Sequence, residues 1–281
     1  MNHLVNIVKS DGTTELFEEE KLVESLTRVK ASPEAIDEIT DEIEREMHDG
    51  ITTAEVYRRA FELLRKHSVQ AAAKYSVRRA LVELGPDGFP FEKFVARIFT
   101  MWEYEAVTDQ TLMGESVDHE VDVVAWKGNE LAMVEAKFHN EFGMKSDLKV
   151  VLYVKARYDD LDEKEFEYGG KKRKLTERWV ATNTKFTDKA IIYGERNGLK
   201  LLGWNYPADQ NLHHIIAENG LHPITCMTTL TRDQKRDLIG HGVLACVDIV
   251  GKPSVLHEVG VKPEDQERIL TEAQVIIEEA K

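Results

Sequence analysis

The 281-residue chain carries 51 acidic and 37 basic side chains, a formal net charge of −14, and 42% hydrophobic residues. That length has room for two domains and a small third, while the acidity argues against a sticky, nonspecific nucleic-acid binder and leaves contact with DNA to a local groove. No apolar run approaches the roughly 20 residues needed to span a bilayer, and the N-terminus lacks a basic-then-apolar secretory layout, so a cytoplasmic location without membrane attachment is expected.

Val5–Val8 reads as a short strand, Lys9-Ser10-Asp11-Gly12 as a turn and Thr13–Phe17 as the returning strand, with Asp-Gly a strong hairpin signal. A helix from about Glu18 places Leu22, Leu26 and Val29 on one face. Ser32-Pro33 opens a second helix with Ile36, Ile39, Ile43 and Met47 inward, Pro being tolerated in a first turn. Thr52-Thr-Ala-Glu55 is a capping box that starts a third helix through Val56, Ala60 and Leu63. A fourth runs from about Ser68 to Leu84 and carries Tyr75.

The elements Val8-Lys9-x-Asp11-Gly12, Phe17, Lys21, Ile51-Thr52-Thr53 and Ala73-Lys-Tyr75-x-x-Arg78 resemble the ATP-cone, a regulatory nucleotide-binding domain, over nearly all of residues 1–85. The resemblance implies ATP or dATP as an allosteric ligand. It assigns phosphate contacts to Lys9, Lys21 and Thr53 and a base-side position to Tyr57. Two ammonium groups and the N–H donors of a turn suit a triphosphate. Where the family carries Arg after the turn lysine this chain has Ser10, one cation fewer.

Gly85-Pro-Asp-Gly88 reads as a linker, and Phe89–Met101 as an amphipathic helix through Phe91, Phe94, Val95, Ile98 and Phe99. Glu120–Trp126 and Leu131–Phe138 read as two strands joined by Lys127-Gly-Asn-Glu130. Strand alternation puts Glu135 and Lys137 on one face, roughly 7 Å apart, and a hairpin brings Asp122 beside Glu135. Two carboxylates and an ammonium converging in otherwise apolar strands suit an oxygen-loving divalent ion and an activated water; the bland reading is a Glu–Lys pair on a wet strand face. His119 either touches a phosphate or ends the loop before the first strand, the loop role being favoured, and His139 lies near the rim of the site, either bonding substrate phosphate or serving the structure. Asp147–Tyr158 reads as a helix with Lys149, Lys155 and Arg157, ended by Asp159-Asp160. Tyr168–Lys174 is the concentrated basic run, either a flexible phosphate-contacting segment or a solvated hairpin tip. Arg178–Asn183, Phe186–Asn197 and Lys200–Trp204 then read strand, helix, strand.

Asp122 with Glu135-Ala136-Lys137 resembles the core of PD-(D/E)xK nucleases. The opening helix Phe91-Glu92-x-Phe94 and the Thr182-Asn183-x-x-Phe186 link resemble Mrr-type restriction endonucleases in particular. The resemblance implies Mg²⁺ or Mn²⁺ held by Asp122 and Glu135, with Lys137 on the attacking water. Glu92 either joins the metal site or is a solvated helix glutamate.

Residues 207–281 read as helices at Leu212–Asn219 and Leu230–Gly240, then Gly242–Asp248, then Leu256–Val261 leading into Lys262–Ala273. This last phrase resembles a helix-hairpin-helix unit, which implies contact with a DNA backbone through helix N-termini and turn amides. Cys226 and Cys246 read as buried thiols, not a disulfide framework or zinc site. No Walker A, His-Glu-x-x-His, nucleophile-elbow or dinucleotide pattern is present.

The expected architecture is therefore an α+β cone of a β-hairpin and about four helices over 1–85. An α/β restriction-endonuclease-like mixed sheet flanked by helices follows over 86–206, and a small helical tail over 207–281. The expected function is a metal-dependent DNA endonuclease under adenine-nucleotide control, acting as a homo-oligomer. The rival is a noncatalytic, nucleotide-sensing DNA-binding regulator.

Overall fold

The computed structural model describes residues 5–9, 12–85, 87–141 and 143–278. No helix among them is long and apolar enough to cross a membrane. The described chain divides into two compact units, residues 82–140 with 144–215, and the remainder.

In the N-terminal part, β1 (Asn6–Val8) and β2 (Thr14–Leu16) pair antiparallel with Ile7 opposite Glu15. The expected turn between them includes Ser10 and Asp11, which lie outside the described residues. Four helices follow: α1 (Glu19–Arg28), α2 (Pro33–Glu46), α3 (Thr53–His67) and α4 (Val69–Val82). Their starts are built as the sequence implies. Ser32 accepts the Ala35 amide, and Thr52 and Glu55 complete a reciprocal capping box that satisfies two otherwise orphaned N–H groups. Leu22, Leu26, Ile39, Ile43, Val56, Leu63 and Leu64 form the core with Ile7 and Ile51.

The second unit opens with α5 (Phe89–Met101), which buries Phe91, Phe94, Val95, Ile98 and Phe99 and packs on β3 (Glu105–Met113), β4 (Asp118–Lys127) and β5 (Glu130–Lys137). Each such side chain contributes about 1.5–3 kcal/mol by leaving water. A two-residue strand, β6 (Lys145–Ser146), leads into α6 (Leu148–Leu161), whose Asp147 cap accepts the amides of Lys149 and Val150. Asp159 and Asp160 do not end this helix, which continues to Leu161 because Tyr158 and Leu161 are needed in the core. The hairpin β7 (Glu165–Tyr168) and β8 (Lys171–Lys174) precedes β9 (Glu177–Thr182), β10 (Lys185–Phe186), α7 (Asp188–Arg196) and β11 (Leu199–Leu202).

The main sheet has the order β11-β9-β5-β4-β3, with β3, β4 and β5 antiparallel and β5, β9 and β11 parallel. Val124, Trp126, Leu131 and Met133 on one face pack with Val151, Val154 and Tyr158 of α6 and Ala190 of α7. Tyr158 is fully buried and its hydroxyl donates to Trp179 O at 3.0 Å, tying α6 to the sheet.

After α8 (Leu212–Glu218) the chain makes one 3-10 turn, Ile224–Cys226, and then α9 (Arg232–Gly240), α10 (Cys246–Gly251), α11 (Val255–Glu258) and α12 (Pro263–Ile277). Both cysteines are free and buried. Ala73 and Ala80 of α4 enter the core that Leu238, Ile249, Leu256, Ile269 and Ile276 form, and Thr225 Oγ1 donates to Ala80 O at 2.5 Å. The tail is thus one compact unit with the N-terminal domain. Glu272, 6% exposed, accepts from the amides and hydroxyls of both Thr228 and Thr229, which orders the segment before α9.

Candidate active site

The β4–β5 hairpin turns through Gly128, whose φ of +57° lies in the left-handed region that favours glycine, and Asn129. Its register pairs Val123 with Val134, so Asp122 and Glu135 are the next residues across from one another. Asp122 Oδ2 accepts the Ala136 amide at 2.6 Å. Glu135 and Lys137 alternate onto the face of Leu131 and Met133, which α6 covers. There Glu135 accepts from Arg157 of α6 in a close ion pair, their side chains 16% and 10% exposed. Arg157 also donates to the Tyr153 hydroxyl at 3.2 Å and lies 4.9 Å from the centre of that ring. Lys137 is exposed and is the register partner of Thr182 in β9.

The electrostatics are those of crowded carboxylates. Burial pushes Glu92 up to about 7, with Asp109, Glu120, Glu135 and Asp87 adding repulsion. Burial and then Glu135 raise Asp122, with Glu92 contributing and the Ala136 amide and Arg157 opposing. Glu92, in the first turn of α5, is therefore part of the same electrostatic cluster as the two hairpin acids. Among the described residues no three His, Cys, Asp or Glu side chains close around one point as a complete metal cage. The donor set is one of hard oxygens, which fits Mg²⁺, an ion that keeps several waters and takes one or two carboxylates plus substrate phosphate.

Two neighbours of this cluster had weak sequence signals. Asp109 sits in β3 with φ of +58°, and the register on either side of it, Thr108 with Val123 and Gln110 with Val121, places it across from Asp122. Arg157 was visible only as one cation of a basic helix; its partner lies 22 residues away in another element.

Other expectations change. His119 does not end a loop: it lies inside β4 opposite Leu112, and its Nε2 is 2.8 Å from Asp160 Oδ2. Asp160 is held well below the usual carboxylate range by hydrogen bonds from Ser116 and His119. His139 meets Ser146 Oγ at 3.0 Å through Nε2, and its backbone exchanges two hydrogen bonds with the Asn183 side chain. Burial and Lys137 lower its pKa. The basic run is an ordered hairpin, not a flexible segment. Arg173 is 8% exposed and donates to the carbonyls of Gly128, Tyr168 and Lys171, because the Gly169-Gly170 turn folds these acceptors around it.

In the N-terminal domain, Lys9 pairs with Glu15 at 2.5 Å and Lys21 with Glu18 at 2.9 Å, both partly exposed. Exposed pairs of this kind exchange partners at little cost. Thr53 is the first residue of α3. One turn on, Tyr57 stacks on Tyr75 with centroids 5.1 Å apart, and the Arg79 guanidinium lies 5.9 Å from its ring centre.

Residues 5–83 match the ATP cone domain, 85–205 the restriction endonuclease domain of Mrr catalytic type, and 222–277 the AF1548-like C-terminal domain. An uncharacterized protein of Archaeoglobus fulgidus is 31% identical over 184 residues, 65% of this chain and 99% of that protein. The crystal structure of "protein of unknown function AF1548" aligns with a TM-score of 0.56 and 30% identity, over 68% of this chain and 99% of that one. Can2 of Sulfobacillus thermosulfidooxidans, in complex with cyclic tetra-adenylate, aligns at a TM-score of 0.31 and 15% identity over 70% of this chain and 54% of that one, too loose a likeness to carry anything further. With an ATP cone domain, a restriction endonuclease domain and an AF1548-like C-terminal region following one another, the chain belongs to the family of AF1548-like proteins.

Proposed function

We propose that the chain is a divalent-metal-dependent DNA endonuclease whose activity responds to ATP or dATP bound by the cone. The observation that carries this reading is the pairing of Asp122 and Glu135 across the β4–β5 hairpin, beside Lys137, in a domain matching restriction endonucleases. Asp122 and Glu135 would hold Mg²⁺ or Mn²⁺, with Glu92 as a further acid; the ion, when bound, polarises the phosphate and acidifies water. Asp122 is fixed by the Ala136 amide, and Glu135 by Arg157, so both carboxylates are oriented before substrate arrives. The exposed Lys137 ammonium hydrogen-bonds the attacking water and stabilises charge that grows on the phosphate oxygens. The water gives up one proton to solvent as its oxygen bonds to phosphorus, the bond to the leaving sugar oxygen breaks, and that oxygen takes a proton from solvent.

For the cone, Lys9, Lys21 and Thr53 contact the triphosphate and Tyr57 the base side. Nucleotide then shifts the equilibrium between association states of a homo-oligomer, which requires different nucleotide affinities in those states. The test is cleavage of plasmid DNA with and without Mg²⁺ by wild type, Glu135→Ala and Lys137→Ala. The proposal expects Mg²⁺-dependent nicking that both variants lose. Equal cleavage by all three proteins sinks the catalytic assignment. DNA binding with no cleavage at all leaves the noncatalytic regulator.

A further inference from the structure

A helix face beside the carboxylates alternates cation, aromatic, cation. Lys149, Tyr153 and Arg157 are spaced four apart on α6, so they line one side of the helix over about 12 Å. At the inner end, Arg157 holds Glu135. One turn out, Tyr153 is 62% exposed, unusual for a ring of its size. Its position is set all the same: Arg157 donates to its hydroxyl at 3.2 Å and sits 4.9 Å from its centroid, covering one ring face. With most of the side chain exposed, ring surface remains that Arg157 does not occupy. Lys149, a turn further out, is exposed.

From this geometry we infer that Tyr153 is a stacking platform for an unpaired DNA base next to the scissile phosphate, with Lys149 holding the backbone on the outer side. This rests on the reading of Asp122, Glu135 and Lys137 as a DNA-hydrolysing centre. A paired base has its faces occupied by its neighbours, whereas an unpaired base offers a whole face to an exposed ring. The expected preference is for single-stranded or locally unpaired DNA.

The test is fluorescence anisotropy of the full chain with a labelled single strand and the matching duplex, with Ca²⁺ replacing Mg²⁺ to hold back hydrolysis. Tyr153→Ala is expected to weaken single-strand binding about fivefold or more while duplex binding stays within about twofold, and Tyr153→Trp is expected to restore it. The side chain is exposed, so both variants should melt like wild type; a matching melt is the folding control. Single-strand affinity of Tyr153→Ala within twofold of wild type overturns the inference, as does an equal loss on both DNAs or no single-strand binding by wild type. The hydrolytic reading fails separately: a wild-type protein that cleaves nothing with Mg²⁺, yet loses single-strand affinity in Tyr153→Ala, keeps the platform and loses the nuclease.

Discussion

Replacing Glu92 by Gln should stabilise the metal-free protein above neutral pH and leave it unchanged in acid. Glu92 is half-buried and its carboxyl is raised from 4.5 to about 7 by burial and by Asp109, Glu120 and Glu135. Between those two values the folded state binds more protons than the unfolded state, so this group's contribution is fully favourable below about pH 4.5 and is lost as the pH rises through 7. At 1.36 kcal/mol per pH unit the gap has a ceiling of about 3.4 kcal/mol. Glu92 is open to solvent on one side, so screening brings this to about 1–2 kcal/mol. Gln keeps the size of the side chain and removes the charge. All four tryptophans, Trp102, Trp126, Trp179 and Trp204, lie in the unit that holds the site, so fluorescence-detected urea unfolding reports on that unit. With chelator present, Glu92→Gln should gain about 1–2 kcal/mol near pH 8 and nothing near pH 5. Added Mg²⁺ should then stabilise wild type more than the variant. A loss near pH 8, or the same gain at both pH values, would refute the reasoning, because crowded charge would not then be what burial imposes on Glu92.

Arg157→Ala strips Glu135 of its buried partner and should cost the same fluorescence transition about 2–4 kcal/mol without metal, part of it recovered in Mg²⁺. Glu272→Ala removes the acceptor of four donors from Thr228 and Thr229; thermal unfolding should show a loss of about 3 kcal/mol or more. Calorimetric titration of ATP should give about tenfold weaker binding for Lys9→Ala and for Lys21→Ala than for wild type, each losing one charge-assisted contact. No heat from wild type with ATP or dATP removes the nucleotide-control reading.

The hairpin that carries the acids was legible because its signals are local. Alternating apolar residues, a Gly128-Asn129 turn and an out-of-place pair of charges all lie within twenty residues. The same holds for α5, whose apolar stripe predicts its bounds, and for the capped starts of α2 and α3. β3 was not legible. It is an edge strand with Glu105, Asp109, Thr111 and Met113 exposed, so burial leaves little pattern on it, and its Asp109 matters only through a partner in another strand. Arg173 looked like a solvated cation because nothing in Lys171-Lys-Arg-Lys174 says which side chain turns inward; three backbone carbonyls decide that. The union of tail and cone through Ala73 and Ala80 was equally hidden, since it joins segments about 145 residues apart with small residues that also suit any helix interior.

The central claim is that Asp122 and Glu135 hold a divalent ion beside Lys137. A crystal soaked in Mn²⁺ and measured at the manganese edge tests it most directly. The account predicts an anomalous peak within about 2.0–2.6 Å of oxygens from both carboxylates, the range for hard cations on oxygen ligands. A peak elsewhere, or none while Arg157 keeps its hold on Glu135, would contradict it.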